Sequence, residues 1–287
     1  MSPIRKILLP LNGTATGEAA LATALLAARQ FNAHVTALHV SADCREVAPL
    51  AGEGLSGAMV EEMMSAAERE SGQRSRDVRR RFEAFVLAHD VPIGEERFED
   101  AASADLAIVV GREDDIVAQS ARLADLAVVP HPDATELSSS DALHAVLFDS
   151  GRPVLVAPKI EPDTLGRRVA IAWNGSAESA TAVLACMPWL TRAERVCVLH
   201  ADEYQRRGPQ ARELLAYLRL HGVEAETAQF KPIDREVGAG LLAGARAFGA
   251  DLMCQGAYSH SRLRQLILGG VTRHVLEFAD LPVLMCR

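Results

Sequence analysis

Arg5-Lys-Ile-Leu-Leu-Pro-Leu-Asn12-Gly13-Thr14 returns 162 positions later as Arg167-Arg-Val-Ala-Ile-Ala-Trp-Asn174-Gly175-Ser176. Each stretch is a short apolar run closed by N-G-[ST]. Alanine-rich residues of helical composition follow, Glu18 to Ala28 and Glu178 to Leu190, with an acid near the start where the helix dipole favours one. The unit reads as strand, tight turn, helix, and it is used twice.

The repeat extends outward in register. His34-Val-Thr-Ala-Leu-His39-Val40 lies beside Arg195-Val-Cys-Val-Leu-His200-Ala201, Ala124-Asp125-Leu126 beside Ala250-Asp251-Leu252, and Pro153-Val-Leu beside Pro282-Val-Leu. Apolar runs alternating with amphipathic stretches in units of roughly 30 residues are the pattern of βαβ crossovers and a parallel sheet. The expected fold class is therefore α/β, in two tandem Rossmann-like domains, residues 1–160 and 161–287. The boundary is expected at the polar, turn-forming Glu161-Pro162-Asp163. Asp125 and Asp251 precede strands, and a role in ending helices is the expected one.

Composition agrees with a folded chain of that size. The 287 residues are 49% hydrophobic and 24% charged, which excludes a disordered chain and a disulfide-framed mini-protein. The net charge of −8 argues against general affinity for nucleic acid or anionic lipid. Five cysteines without any C-x-x-C spacing fit neither a disulfide framework nor a structural zinc site and read as small buried hydrophobes. No run reaches the roughly 18 to 20 apolar residues of a membrane span. The expected compartment is the cytoplasm.

The halves differ in two places. The first carries an insertion with a long helix expected from about Ala58 to His89; its methionines, Met63 and Met64 among them, read as core or subunit contact. Its arginines, Arg74 to Arg81, read as a solvated face among acidic neighbours. The second half alone carries Gly256-Ala-Tyr258-Ser259, nine residues, then Gly269-Gly270-Val271-Thr272. From Asp to the closing Pro is 28 positions in the first half (125 to 153) and 31 in the second (251 to 282). Residues 256–276 contain no carboxylate, a basic island in an acidic chain. Glycines before a helix start suit an anion, because backbone N–H groups and the dipole both face it. A loop that merely turns is the competing reading. In the N-G-[ST] turns, glycine supplies a positive-φ residue and Thr14 or Ser176 a helix cap. The alternative is Asn174 facing a ligand at a strand end.

No nucleophile elbow, Walker loop, zinc-protease motif or G-x-G-x-x-G fingerprint occurs, so neither catalytic nor metal-ligating residues are nominated.

Strand–N-G-[ST]–helix, a second strand ending Leu-His, and the spaced Gly256, Ser259, Gly269, Gly270 loop before Pro282-Val-Leu together resemble the universal stress protein family in a tandem, two-domain form. ATP-binding members carry G-x-x-G, nine residues, then G-[ST], with Asp after the first strand. Here Ser259 stands for the second glycine, Gly270 for the Ser or Thr, and Asn12 and Asn174 for the Asp. The resemblance implies five-stranded parallel sheets of order 3-2-1-4-5, with a ligand beyond the carboxyl ends of strands one and four of the second half. Asn174, Ala201, Gln255, Gly256, Tyr258, Ser259, Gly269, Gly270 and Val271 would line it, and the first half's site is degenerate. The implied ligand is an adenine nucleotide, ATP first, with Mg²⁺ as its companion. The implied role is ligand-linked interaction in a stress response, without turnover, a slow ATPase ranking last. The expected assembly is a homodimer built on an intrachain pseudo-dimer. A nucleotide-independent dimerisation module of the same fold is the alternative reading.

Overall fold

The computed structural model describes residues 4–41, 57–94, 100–132, 137–257 and 270–287. The first half contributes β1 (Lys6–Pro10), α1 (Ala15–Phe31), β2 (His34–Ser41), α2 (Gly57–Ala88), β3 (Ser103–Val110), α3 (Glu113–Ala121), β4 (Leu126–Val129), α4 (Leu137–Asp149) and β5 (Val154–Val156). The second contributes β6 (Arg168–Ala172), α5 (Ala177–Leu190), β7 (Arg195–His200), α6 (Ala211–Leu220), β8 (Glu226–Gln229), α7 (Val237–Phe248), β9 (Leu252–Gly256), α8 (Val271–Phe278) and β10 (Val283–Cys286).

Within each half the strand order is 3-2-1-4-5 and every pairing is parallel, as the resemblance implies. The repeat does not announce what joins them. β5 and β10 pair antiparallel, Val156 with Val283, Leu155 with Leu284 and Val154 with Met285, so the two sheets fuse into one of ten strands. Helices α1, α2, α5 and α6 bury one continuous apolar layer against one face. Helices α3, α4, α7 and α8 bury the other. Both layers run across the two halves. Strands covered on both faces explain the near-unbroken apolar runs such as Leu126-Ala-Val-Val129.

The repeated turn is explained locally. Gly13 and Gly175 hold φ of 78° and 76°, a region open to glycine at no steric cost. Thr14 and Ser176 then cap α1 and α5, accepting from the backbone N–H of Gly17 and Ser179. The repeated aspartates act differently from the sequence expectation. Asp125 Oδ2 accepts from the backbone N–H of Arg5 and Lys6 at 2.9 and 3.0 Å, and the Asp251 carboxylate accepts from those of Arg167 and Arg168 at 3.1 and 2.8 Å. Each clamps the start of strand four to the start of strand one instead of ending a helix.

In α2 only Val78, Phe82 and Val86 are buried. Met59 and Met63 are exposed, so the methionine stripe is not core. The arginines form ion pairs along the helix, Arg74 with Glu70, Arg80 with Asp77 and Arg79 with Glu83, which is the solvated face expected of them. Cys186, Cys197, Cys254 and Cys286 are free and buried; Cys44 lies outside the described residues.

Candidate functional site

Those sequence-nominated residues that are described gather at the carboxyl edge of the second half. Asn174 follows β6, Ala201 follows β7, and Gln255 and Gly256 end β9. β6 lies between β7 and β9, so these ends are adjacent and flank the point where the strand order reverses. α8 connects the parallel strands β9 and β10 and therefore begins at this same edge. Gly270 is its N-cap in extended conformation without a side-chain capping bond, and Val271 is its first residue. Tyr258, Ser259 and Gly269 lie outside the described residues.

Gln255 stands out at this edge by its burial. It is 1% exposed, and among the described residues neither its Oε1 nor its Nε2 has a hydrogen-bond partner. A buried amide left so costs roughly 1–3 kcal/mol for each group. Met253 and Ala257, two positions either side, belong to the layer under α7 and α8, so strand alternation turns Gln255 to that face. Ala201 is buried in the same layer.

Asn174 is committed locally. Its Oδ1 accepts from the Ser176 backbone N–H at 3.1 Å, an Asx turn, and Asn12 Oδ1 does the same for Thr14 at 3.3 Å. Asparagine serves this turn without a charge in both halves. The β7–α6 loop covers the turn: Arg206 N–H donates to Asn174 O at 2.7 Å, and Trp173 Nε1 donates to Pro209 O at 2.9 Å. A Cβ on Gly208 would stand 2.0 Å from Gly175 O, so these two glycines permit backbone to lie on backbone. The Ala201 carbonyl is likewise occupied, accepting from Tyr204 and Gln205. Trp173 is 4% exposed and sits in the layer under α1 and α5.

Gly256 has a structural reason of its own. A Cβ there would meet Ser179 N at 2.5 Å and the Glu178 carbonyl carbon at 2.7 Å, so the strand end abuts the first turn of α5. In the first half, residues 130–136 link β4 to α4 where residues 257–270 link β9 to α8, and His131 is buried where Ala257 stands. Neither sequence pattern nor repeat pointed to the burial of the Gln255 amide, since one glutamine ending an apolar strand carries no signal of its own.

The two repeated halves match the universal stress protein family, whose family model aligns with residues 3–131 and 167–287. The chain belongs to that family. A universal stress protein from Archaeoglobus fulgidus shares the fold over 98% of both chains, at TM-score 0.65 and 15% identity. A functionally unknown protein from Pseudomonas aeruginosa matches over 99% of this chain and 92% of its own, at TM-score 0.53 and 17% identity. A universal stress protein solved in complex with cAMP also matches, covering 55% of this chain and 100% of that one at 18% identity and TM-score 0.32; the ligand is a property of that protein. No curated protein matches the sequence. No helix among the described residues is long and apolar enough to cross a membrane.

Proposed function

We propose that the second half, residues 161–287, binds an adenine nucleotide, ATP first, at the carboxyl edge of β6 and β9, and that the first half, residues 1–160, is its non-binding partner. The observation carrying this reading is Gln255: a buried amide without a hydrogen-bond partner among the described residues, on the face shared with Ala201 and covered by α7 and α8. A purine edge offers a donor and an acceptor to match such an amide, and the helix start favours phosphate. The intact spacing of Gly256, Ser259, Gly269 and Gly270 supports the same ligand.

Among the described residues no three of His, Cys, Asp and Glu gather as a metal site, so Mg²⁺ would enter on the phosphates. The role is ligand-linked interaction in the cytoplasm, without turnover. The second reading, a nucleotide-independent dimerisation module, draws on Met59 and Met63 exposed along α2.

Isothermal titration of the full chain with ATP, with and without Mg²⁺, tests the first reading. Saturable binding lost in Gly270→Trp supports it; a Cβ at that position meets nothing within 4 Å and its φ is ordinary, and an unchanged circular dichroism spectrum shows that the variant keeps its fold. Absence of binding at millimolar ATP overturns it and leaves the dimerisation reading.

A further inference from the structure

We propose a second ligand site, in the crevice between the two halves, for an amphipathic organic anion with an apolar body and one carboxylate head. The crevice encloses about 480 Å³, within the range of small-molecule pockets. Neither half forms it alone. Leu126 and Leu147 wall it from the first half, and Leu184, Ala185 and Trp189 wall it from α5 of the second. Those walls are aliphatic and aromatic, which selects an apolar body by the area it removes from water.

The charged groups at the crevice select the head. Arg152 and Arg287 are both exposed and lie in its lining, and neither forms an ion pair among the described residues. Their guanidinium groups are nonetheless held in place. Arg152 donates from Nε and Nη2 to the Arg122 carbonyl at 3.1 and 2.7 Å, and Arg287 lies 4.7 Å over the Phe148 ring. A positioned guanidinium lacking a carboxylate partner is a ready receptor for one. Asp125, the acid in the lining, spends Oδ2 on the N–H groups of Arg5 and Lys6. The lining therefore carries two arginines and one aspartate, whose Oδ2 is already engaged.

The site bears on how the halves hold together. The strand junction beside it pairs only Val154 to Val156 with Val283 to Met285, and Cys286 at its end lines the crevice. A ligand touching both halves stabilises their joined state by an amount that grows with the logarithm of its concentration above Kd.

Dodecanoate is the probe, titrated into the full chain by calorimetry and followed by tryptophan emission, since Trp189 lines the site. The expected result is one saturable site per chain, unchanged by saturating ATP. Ala185→Phe fills the crevice from the α5 wall and should weaken binding at least tenfold. Leu184→Glu, at a wall position 51% exposed, does so by charge and serves if the first variant fails to fold. Arg152→Ala with Arg287→Ala should weaken dodecanoate several-fold and leave dodecanol unchanged. Absent saturable binding, indifference to both wall variants, or equal loss of dodecanoate and dodecanol in the arginine variant each overturns the proposal. ATP binding at the β6–β9 edge stands or falls separately.

Discussion

The indole N–H of Trp189, at the end of α5 in the second half, donates to Oε1 of Gln30, at the end of α1 in the first, at 2.9 Å. The same ring meets Phe31 edge to face at 5.1 Å between centroids. Trp189 is 1% exposed and joins the apolar layer that runs through both halves. Gly166, on the connection into β6, holds φ of 75°, and a Cβ there would stand 2.3 Å from Trp189 Cδ1. One side chain thus ties α1, α5 and the inter-half connection together.

Trp189→Ala is expected to cost about 3–5 kcal/mol, the range for truncating a buried aromatic. Trp189→Phe keeps most of the volume and loses the bond to Gln30, an exposed residue whose amide water can reach, so about 0.5–1.5 kcal/mol is expected for the lost bond. Urea unfolding of both variants checks the order.

The two aspartate clamps give a second expectation. Asp251→Ala removes two charge-assisted bonds and leaves the N–H groups of Arg167 and Arg168 to solvent, at an expected cost of about 1–3 kcal/mol. Asp125→Ala should cost a similar amount, since the geometry repeats. A cost for both variants within error of zero in chemical denaturation would show that the clamps are ornamental.

Stability should also depend on Glu113, in the first turn of α3. Burial, then the neighbouring Asp141 and Asp114 carboxylates, push its pKa up to about 7. The folded state therefore holds a proton that the unfolded chain releases near 4.5, so stability falls as pH rises between those values. Glu113→Gln should lose that slope, and its stability advantage over the parent should grow from pH 5 to pH 8. Paired melts across that range test the sign, and a constant difference contradicts it.

The buried thiols should be silent. Burial pushes Cys197 up to about 11 and Cys286 up to about 12, and Cys254 is also well above the ordinary value, through burial and then its neighbour Cys186. A thiol reagent at pH 8 acts on thiolate. In a Cys44→Ser variant no fast-reacting thiol is expected in the folded state, and four should appear on unfolding.

At the level of single turns the sequence was fully legible. Asn12-Gly13-Thr14 and Asn174-Gly175-Ser176 specify a positive-φ residue and a cap within three positions, and both are realised as read. The clustering of Asn174, Ala201, Gln255 and Gly256 was legible too, because parallel βαβ order delivers strand ends to one edge. Asp125 and Asp251 were misread as helix ends because their acceptors serve N–H groups 120 and 84 residues away.

The sequence by itself therefore determined the repeat and the strand–turn–helix units, written in short-range periodicity and turn chemistry, while the sheet order within each half followed from the family resemblance. Tertiary structure alone decided the antiparallel β5–β10 seam, the Trp189–Gln30 bond, the burial of the Gln255 amide and the crevice between the halves. Each of these arises where segments distant in the chain exclude water together, and no local pattern records which distant groups will meet.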